Sequence, residues 1–272
     1  MPAGNPRAIL DAFGLEKRRY VFLMGGGGKT SLMFALAHAL AAGGRSVLTT
    51  TSTRIHYPGL AESDHVVVGP DAVSLIEPLR GEFGTAGHVT AAASRLEEAA
   101  KLGGLGVDQL DLLLDARVAD HVLVEADGAA GRSLKAHGEH EPVVSARADL
   151  VIAVIGVDAL GMPMDDLHVH RARLLCERLG RPPGSAITGD DVARIVFHRD
   201  GYLGRIGKNS EIIVFVNKAG TPEALGDARR LAEALKRGDL EGRINHVVVG
   251  DVKTGAYEGG PTARDVPAQA TG

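Results

Sequence analysis

Short apolar runs alternate along the chain with stretches whose apolar residues recur every three or four positions. The runs Tyr20–Met24, Ser46–Thr50, His65–Val68, His121–Glu125, Leu150–Ile155, Glu211–Val216 and Asn245–Val249 predict strands. Thr30–Ala42, Asp71–Arg80, Val107–Ala116, Arg171–Leu179, Gly189–Val196 and Pro222–Arg237 predict helices. Several runs, such as Val151 to Ile155 and Ile212 to Val216, are continuous and rich in β-branched residues, as in parallel strands buried on both faces. Such alternation predicts an α/β fold: a three-layer, doubly wound, mostly parallel sheet between helices. Ligands of such sheets gather at the carboxyl ends of the strands.

Two stretches break the rhythm. Gly84 to Gly106 mixes a strand-like piece with the helix-like Ala91–Lys101 and ends in Lys101-Leu102-Gly103-Gly104. Residues 157–208 read as a small helical insertion or subdomain with turn-rich joins. Residues 1–254 therefore read as a single domain carrying that insertion. Residues 255–272, rich in Gly, Pro, Ala and Thr, read as a disordered tail.

The segment most telling of chemistry is Gly25-Gly26-Gly27-Gly28-Lys29-Thr30, between the first strand and the first predicted helix. Glycines let backbone N–H groups approach a phosphate closely, and a helix N-terminus adds partial positive charge. Lys29 would reach the outer phosphates, the Thr30 hydroxyl would bind Mg²⁺, and Ser31 would add a donor. The long phosphate-loop pattern wants Gly at position 23, where this chain has Leu23. The shorter G-x-x-G-K-T pattern fits, and resembles the loop of Mur-type ATP-dependent ligases. A tight strand-to-helix turn is the plainer alternative.

Further polar residues fall at other strand ends. Thr49-Thr50-Thr51 closes the second strand, expected beside the first, where a hydroxyl such as that of Thr50 could complete the Mg²⁺ shell. Glu125 and Asp127 end an apolar strand, where they could hold Mg²⁺ or position a water. Two apart in a continued strand, they would point the same way. Arg132 and Lys135 could meet phosphate or an anionic substrate. Glu139, His140 and Glu141 could bind a metal or move protons, but their spacing is not that of a zinc site. His168 and His170 are a weaker metal pair. Asn217-Lys218-Ala219-Gly220 resembles the Asn-Lys-x-Asp strand end with which GTPases read guanine. Gly220 replaces its Asp, so ATP and GTP both stay open.

Composition narrows these readings. A net charge of −4 over 272 residues argues against a broad nucleic-acid surface. No apolar run reaches membrane-spanning length. One cysteine, Cys176, excludes an internal disulfide and points to the cytoplasm. It falls in a predicted helix, as a packed core thiol or a reactive one.

Taken together, Gly25 to Thr30, Thr49 to Thr51, Lys101 to Gly104, Val124 to Ala129, Lys135, Glu139 to Pro142, the stretch ending at Gly161, His170-Arg171 and Val216 to Lys218 resemble the YqeC family, over about residues 6 to 253. That family is named for a selenium-dependent hydroxylase accessory or selenium cofactor biosynthesis role. The resemblance implies a P-loop NTPase-like, nucleotide-binding accessory protein in the maturation of molybdenum-containing hydroxylases, with such a hydroxylase or its cofactor as partner. Read with the motifs, it makes a Mg²⁺-dependent nucleoside triphosphatase the first expectation. Lys29, Glu125 and Asp127 would act on the phosphates, Gly25 to Ser31 with Lys135, Asn217 and Lys218 would bind the nucleotide, and Thr30, Thr50, Glu125 and Asp127 would hold the metal. A ligase or kinase acting on a small anion, and a non-catalytic cofactor chaperone with structural nucleotide, are the alternatives.

Overall fold

Helix α1 (Pro6–Phe13) leads into β1 (Tyr20–Gly25), whose side chains alternate between two cores because successive residues of a strand face opposite ways. Val21 and Leu23 join one apolar cluster, and Tyr20, Phe22 and Met24 join the other. The structure is a computed structural model and describes residues 6–96 and 100–260. The chain continues through α2 (Lys29–Ala42), β2 (Val47–Thr51), β3 (Arg54–His56), β4 (His65–Val68), α3 (Ala72–Glu82), β5 (His88–Ala92), β6 (Ser94–Leu96), β7 (Lys101–Gly103), α4 (Val107–Asp115) and β8 (His121–Glu125). It then forms β9 (Leu134–Lys135), β10 (Leu150–Gly156), β11 (Val169–His170), α5 (Ala172–Leu179), α6 (Gly189–Phe197), β12 (Glu211–Asn217), α7 (Pro222–Gly238), β13 (His246–Asp251) and β14 (Ala256–Glu258).

Nine strands make one sheet in the order β14-β13-β12-β10-β1-β8-β2-β5-β4, parallel except for β14. Apolar residues of α1 and α2 (Phe13, Leu32, Leu36) cover one face. Those of α3 to α7 (Leu75, Leu110, Leu175, Val192, Leu231) cover the other. The expected α/β layering is therefore present, and each predicted strand and helix of the sheet forms within a residue or two of its expected bounds. Among the described residues no helix is long and apolar enough to cross a membrane.

Several expectations change. Strand β2 does not lie beside β1: β8 pairs with both and sits between them. Thr49–Thr51 therefore flank Glu125 rather than the glycine turn. The helix expected at Ala91–Lys101 is absent over its described part. Ala91 and Ala92 pair with β4, and Ser94–Leu96 pairs with β7 in a small antiparallel sheet, β3-β7-β6. Helix propensity there is a weak preference overridden by ladder hydrogen bonds; residues 97–99 of that stretch lie outside the described residues. Helices α5 and α6 of the expected insertion share the core of the sheet face they cover. At the start of the stretch read as a disordered tail, Ala256–Glu258 pairs antiparallel with β13; residues 261–272 lie outside the described residues. The Cys176 thiol is buried beside Met164, as a core thiol, and burial raises its pKa.

A buried polar chain crosses the sheet next to β2. His88 Nε2 meets Thr49 Oγ1 at 2.9 Å, Thr49 meets Thr90 at 2.8 Å, and Thr90 donates to Ser63 at 2.8 Å. Burial, with His38 adding, pushes the His88 pKa down to about 4. The unfolded chain protonates this imidazole near its ordinary value of 6.5 and the folded protein does so only near 4. The unfolded state thus binds more protons in that window, so the His88 contribution is present above pH 6.5 and is lost as pH falls toward 4. Urea unfolding at stepped pH should show a loss of up to about 3 kcal/mol from this group. His88→Gln should flatten that part of the profile, and an unchanged slope would contradict the assignment.

Candidate functional site

The carboxyl ends of β1, β8, β10 and β12 converge on the turn between β1 and α2. Gly27 has φ +80°, and a Cβ there would lie 2.2 Å from the Gly156 nitrogen, so β10 approaches too closely for any side chain. Three of the four glycines spend their N–H groups inward. Gly25 donates to both carboxylate oxygens of Asp127, Gly26 to Val154 O at 2.9 Å, and Gly27 to Arg132 O at 2.9 Å. The expected cradle of Gly25 to Gly28 is therefore narrower. Donors left for an anion are those of Gly28 and of the first turn of α2, at Lys29, Thr30 and the exposed Ser31, which have no intrahelical acceptor.

Lys29 is buried, at 4% exposure. Its Nζ donates to Gly25 O at 2.6 Å and lies 3.2 Å from Asp127 and 3.7 Å from Glu125. Burial opposes its charge, but the two carboxylates outweigh burial and raise its pKa. The Thr30 hydroxyl donates to Glu125 Oε2 at 2.6 Å. Glu125 is buried at the end of β8, and burial raises its pKa against the pull of Lys29 and Thr30. The Thr50 hydroxyl is buried and, among the described residues, has no hydrogen-bond partner. Thr51, next to it, donates to Glu125 O at 3.0 Å.

Glu125 and Asp127 both approach Lys29 Nζ, but β8 ends at Glu125 and their other partners differ. The Asp127 carboxylate receives both Gly25 N–H contacts, Lys29 Nζ, Lys135 Nζ at 3.2 Å and His137 Nε2 at 2.6 Å. Burial would raise its pKa; Lys29, His137 and Lys135 prevail and hold it well below the ordinary carboxylate range. So surrounded, Asp127 is a hub that ties the glycine turn to the 134–141 loop, with little lone-pair capacity left for a metal.

Lys135 is fully buried and donates to Gly128 O at 2.6 Å and to Glu141 at 2.7 Å. Arg171 also grips Glu141. Burial works against the charged Glu141, but Arg171 and Lys135 hold its pKa down to about 2. The two-residue strands β9 and β11 set Lys135 opposite His170 and so bring these groups together. Lys135 and Arg171 are thereby committed to internal partners rather than presented to an anionic substrate.

Asn217 is buried and bridges two turns. Its Nδ2 donates to Gly27 O at 2.7 Å, and its Oδ1 accepts from Val252 N at 3.1 Å. Lys218, at φ +68°, reaches Ser133 Oγ at 2.6 Å and Asp158 at 2.8 Å. Glu139 and His140 are exposed and stand apart from this network. His168 pairs with Asp165 at 2.7 Å, and the Arg132 guanidinium binds the carbonyls of Asp166 and Ala130.

Among the described residues no group of three or more His, Cys, Asp or Glu could hold a metal ion. The adjoining oxygens of Thr30 and Glu125 are a different donor set; Thr50, expected to join them, pairs with Val124 and so faces the other side of the sheet from Glu125, because successive residues of a strand point opposite ways. One hydroxyl and one carboxylate suit Mg²⁺, which keeps waters and phosphate oxygens in its shell. They do not suit zinc.

His137 is the member that sequence reasoning missed. It is buried against the Tyr202 ring, 4.7 Å between centroids and at 89°, and burial lowers its pKa despite Asp127. Its spacing from Asp127 carries no motif, and only the folded loop shows the pairing.

Residues 21–173 match the family model described as YqeC protein. The chain is 32% identical over 243 residues to a protein of Escherichia coli (strain K12) described as uncharacterized protein YqeC. That match covers 87% of this chain and 91% of the relative.

Proposed function

The chain belongs to the YqeC family, and from that footing we propose that it binds ATP or GTP as a Mg²⁺ complex and hydrolyses it. The observation that carries the reading is the convergence of Lys29, Thr30 and Glu125 at the N-terminus of α2, directly after the glycine turn. Lys29 would exchange Gly25 O for an outer phosphate oxygen, while Asp127 stays held by Gly25, Lys135 and His137. The N–H groups of Gly28 to Ser31 would meet the inner phosphates. Thr30 and Glu125 would hold Mg²⁺, and the bound ion would draw charge from the phosphate oxygens. Phosphoryl transfer is chiefly positioning and electrostatics, which these residue types can supply. In the role implied by the family resemblance, this turnover would serve the maturation of a molybdenum-containing hydroxylase or its cofactor.

Thr30→Ala and Glu125→Gln test the metal half of the reading. Each should lower nucleoside triphosphatase turnover by about 10²-fold, in line with loss of one group acting on transition-state charge. Each should also raise the Mg²⁺ concentration needed for half-maximal nucleotide binding. Turnover and Mg²⁺ dependence unchanged in both variants would refute it.

A further inference from the structure

The sequence leaves the base open because Gly220 stands where Asn-Lys-x-Asp carries its carboxylate. The structure brings another carboxylate to that place. Strand β13 runs parallel to β12, so the turn after Asp251 lies against the turn after Asn217. Ala219 N donates to Gly250 O at 3.0 Å, and Val252 N donates to Asn217 Oδ1 at 3.1 Å. A Cβ built on Gly220 would lie 2.5 Å from Asp251 Oδ2 and 3.3 Å from its Cγ. The space that a side chain at 220 would fill is therefore taken by the carboxylate of Asp251. Glycine at 220 is what leaves room for it.

That carboxylate is set for a ligand. Its Oδ1 accepts from Lys253 N at 2.6 Å, which fixes its orientation. Among the described residues Oδ2 accepts no hydrogen bond, and Asp251 is half-buried rather than free in solvent. Asn217 ties the same turn to Gly27 O at 2.7 Å, so the carboxylate and the phosphate turn are held in one rigid relation.

We propose that Asp251, reaching in from β13 over Gly220, is the residue that selects the base, and that the base is guanine. The proposal rests on the nucleotide-binding reading above and names the substrate class of that site. A carboxylate accepts two parallel donors, which guanine offers as N1–H and the N2 amino group. Adenine offers a bare N1 lone pair on the corresponding edge, which a carboxylate repels. Hydrogen bonds to a charged acceptor of this kind correspond to a preference of about 10- to 100-fold.

The test titrates GDP, ADP and xanthosine diphosphate, each with Mg²⁺, into the wild-type protein and Asp251→Asn. An amide presents one donor and one acceptor, matching the C2 carbonyl and N1–H of xanthine. The wild type should bind GDP about 10-fold or more tightly than ADP. Asp251→Asn should weaken GDP and strengthen xanthosine diphosphate by similar factors, with the ligand-free melting temperature unchanged. A merely structural Asp251 could not produce that exchange. Binding of ADP equal to or tighter than GDP, or an Asp251→Asn protein with wild-type preferences, would overturn the base assignment and leave the phosphate site standing. Failure of the wild type to bind any of the three would overturn the nucleotide reading and the base assignment with it.

Discussion

Asp127→Ala should lower the unfolding free energy by about 3–5 kcal/mol, the range expected when one partner of a buried ion pair is removed. The carboxylate faces Lys29 and Lys135, both buried, and also satisfies the Gly25 N–H and His137. Its removal leaves two ammonium groups without their shared partner and frees the start of the glycine turn. For a chain of this size each kcal/mol moves Tm by about 2–4 °C, so the midpoint should fall by roughly 6–20 °C. Because the folded pKa of Asp127 is depressed, its contribution is present above the ordinary carboxylate pKa of 3.8 and disappears as pH falls through the lower folded value. Glu125→Gln should cost far less, because burial already favours the protonated Glu125. Denaturant midpoints for the two variants provide the check. Equal, small losses in both would contradict the hub.

Lys29→Met should weaken nucleoside triphosphate binding or turnover by at least about 100-fold, as expected when a donor aimed at phosphate charge is lost. The methionine keeps most of the buried stem and removes the ammonium. The fold should survive this change, because Asp127 retains Gly25, Lys135 and His137, and Glu125 can take up a proton. Circular dichroism and the ligand-free melting curve establish that survival. Equilibrium binding and phosphate release then report the loss. Wild-type turnover in a folded Lys29→Met protein would remove the assigned role of Lys29.

The sheet and the start of the site were legible because both are local. An apolar run, four glycines and Lys-Thr before a second apolar segment, buried nearly all round, specify strand, turn and helix within 23 residues of chain, Tyr20 to Ala42. Glu125 was legible for the same reason, as an acid at the end of an apolar strand. The division of labour between Glu125 and Asp127 was not, because it depends on the strand ending at Glu125 and on Lys135 and His137 folding back over Asp127. The order β1-β8-β2 was hidden too, since nothing in the residues of β2 says that a strand some 70 positions later will insert beside β1. Ala91–Lys101 misleads for the opposite reason: its alanines favour a helix locally, while β4 and β7 offer ladder partners that local sequence cannot register. The neighbourhood of Gly220 and Asp251 is likewise a product of β12–β13 pairing, 31 residues apart in the chain.

The most direct measurement is calorimetric titration of Mg²⁺–GTP and Mg²⁺–ATP into the wild-type protein, repeated with EDTA and repeated with Lys29→Met. The wild type should bind saturably, less tightly when Mg²⁺ is removed, and the folded variant should show no binding. The melting temperature of the wild type should rise with ligand concentration. No heat and no thermal shift with either nucleotide in the wild type, or equal binding in Lys29→Met, would contradict it.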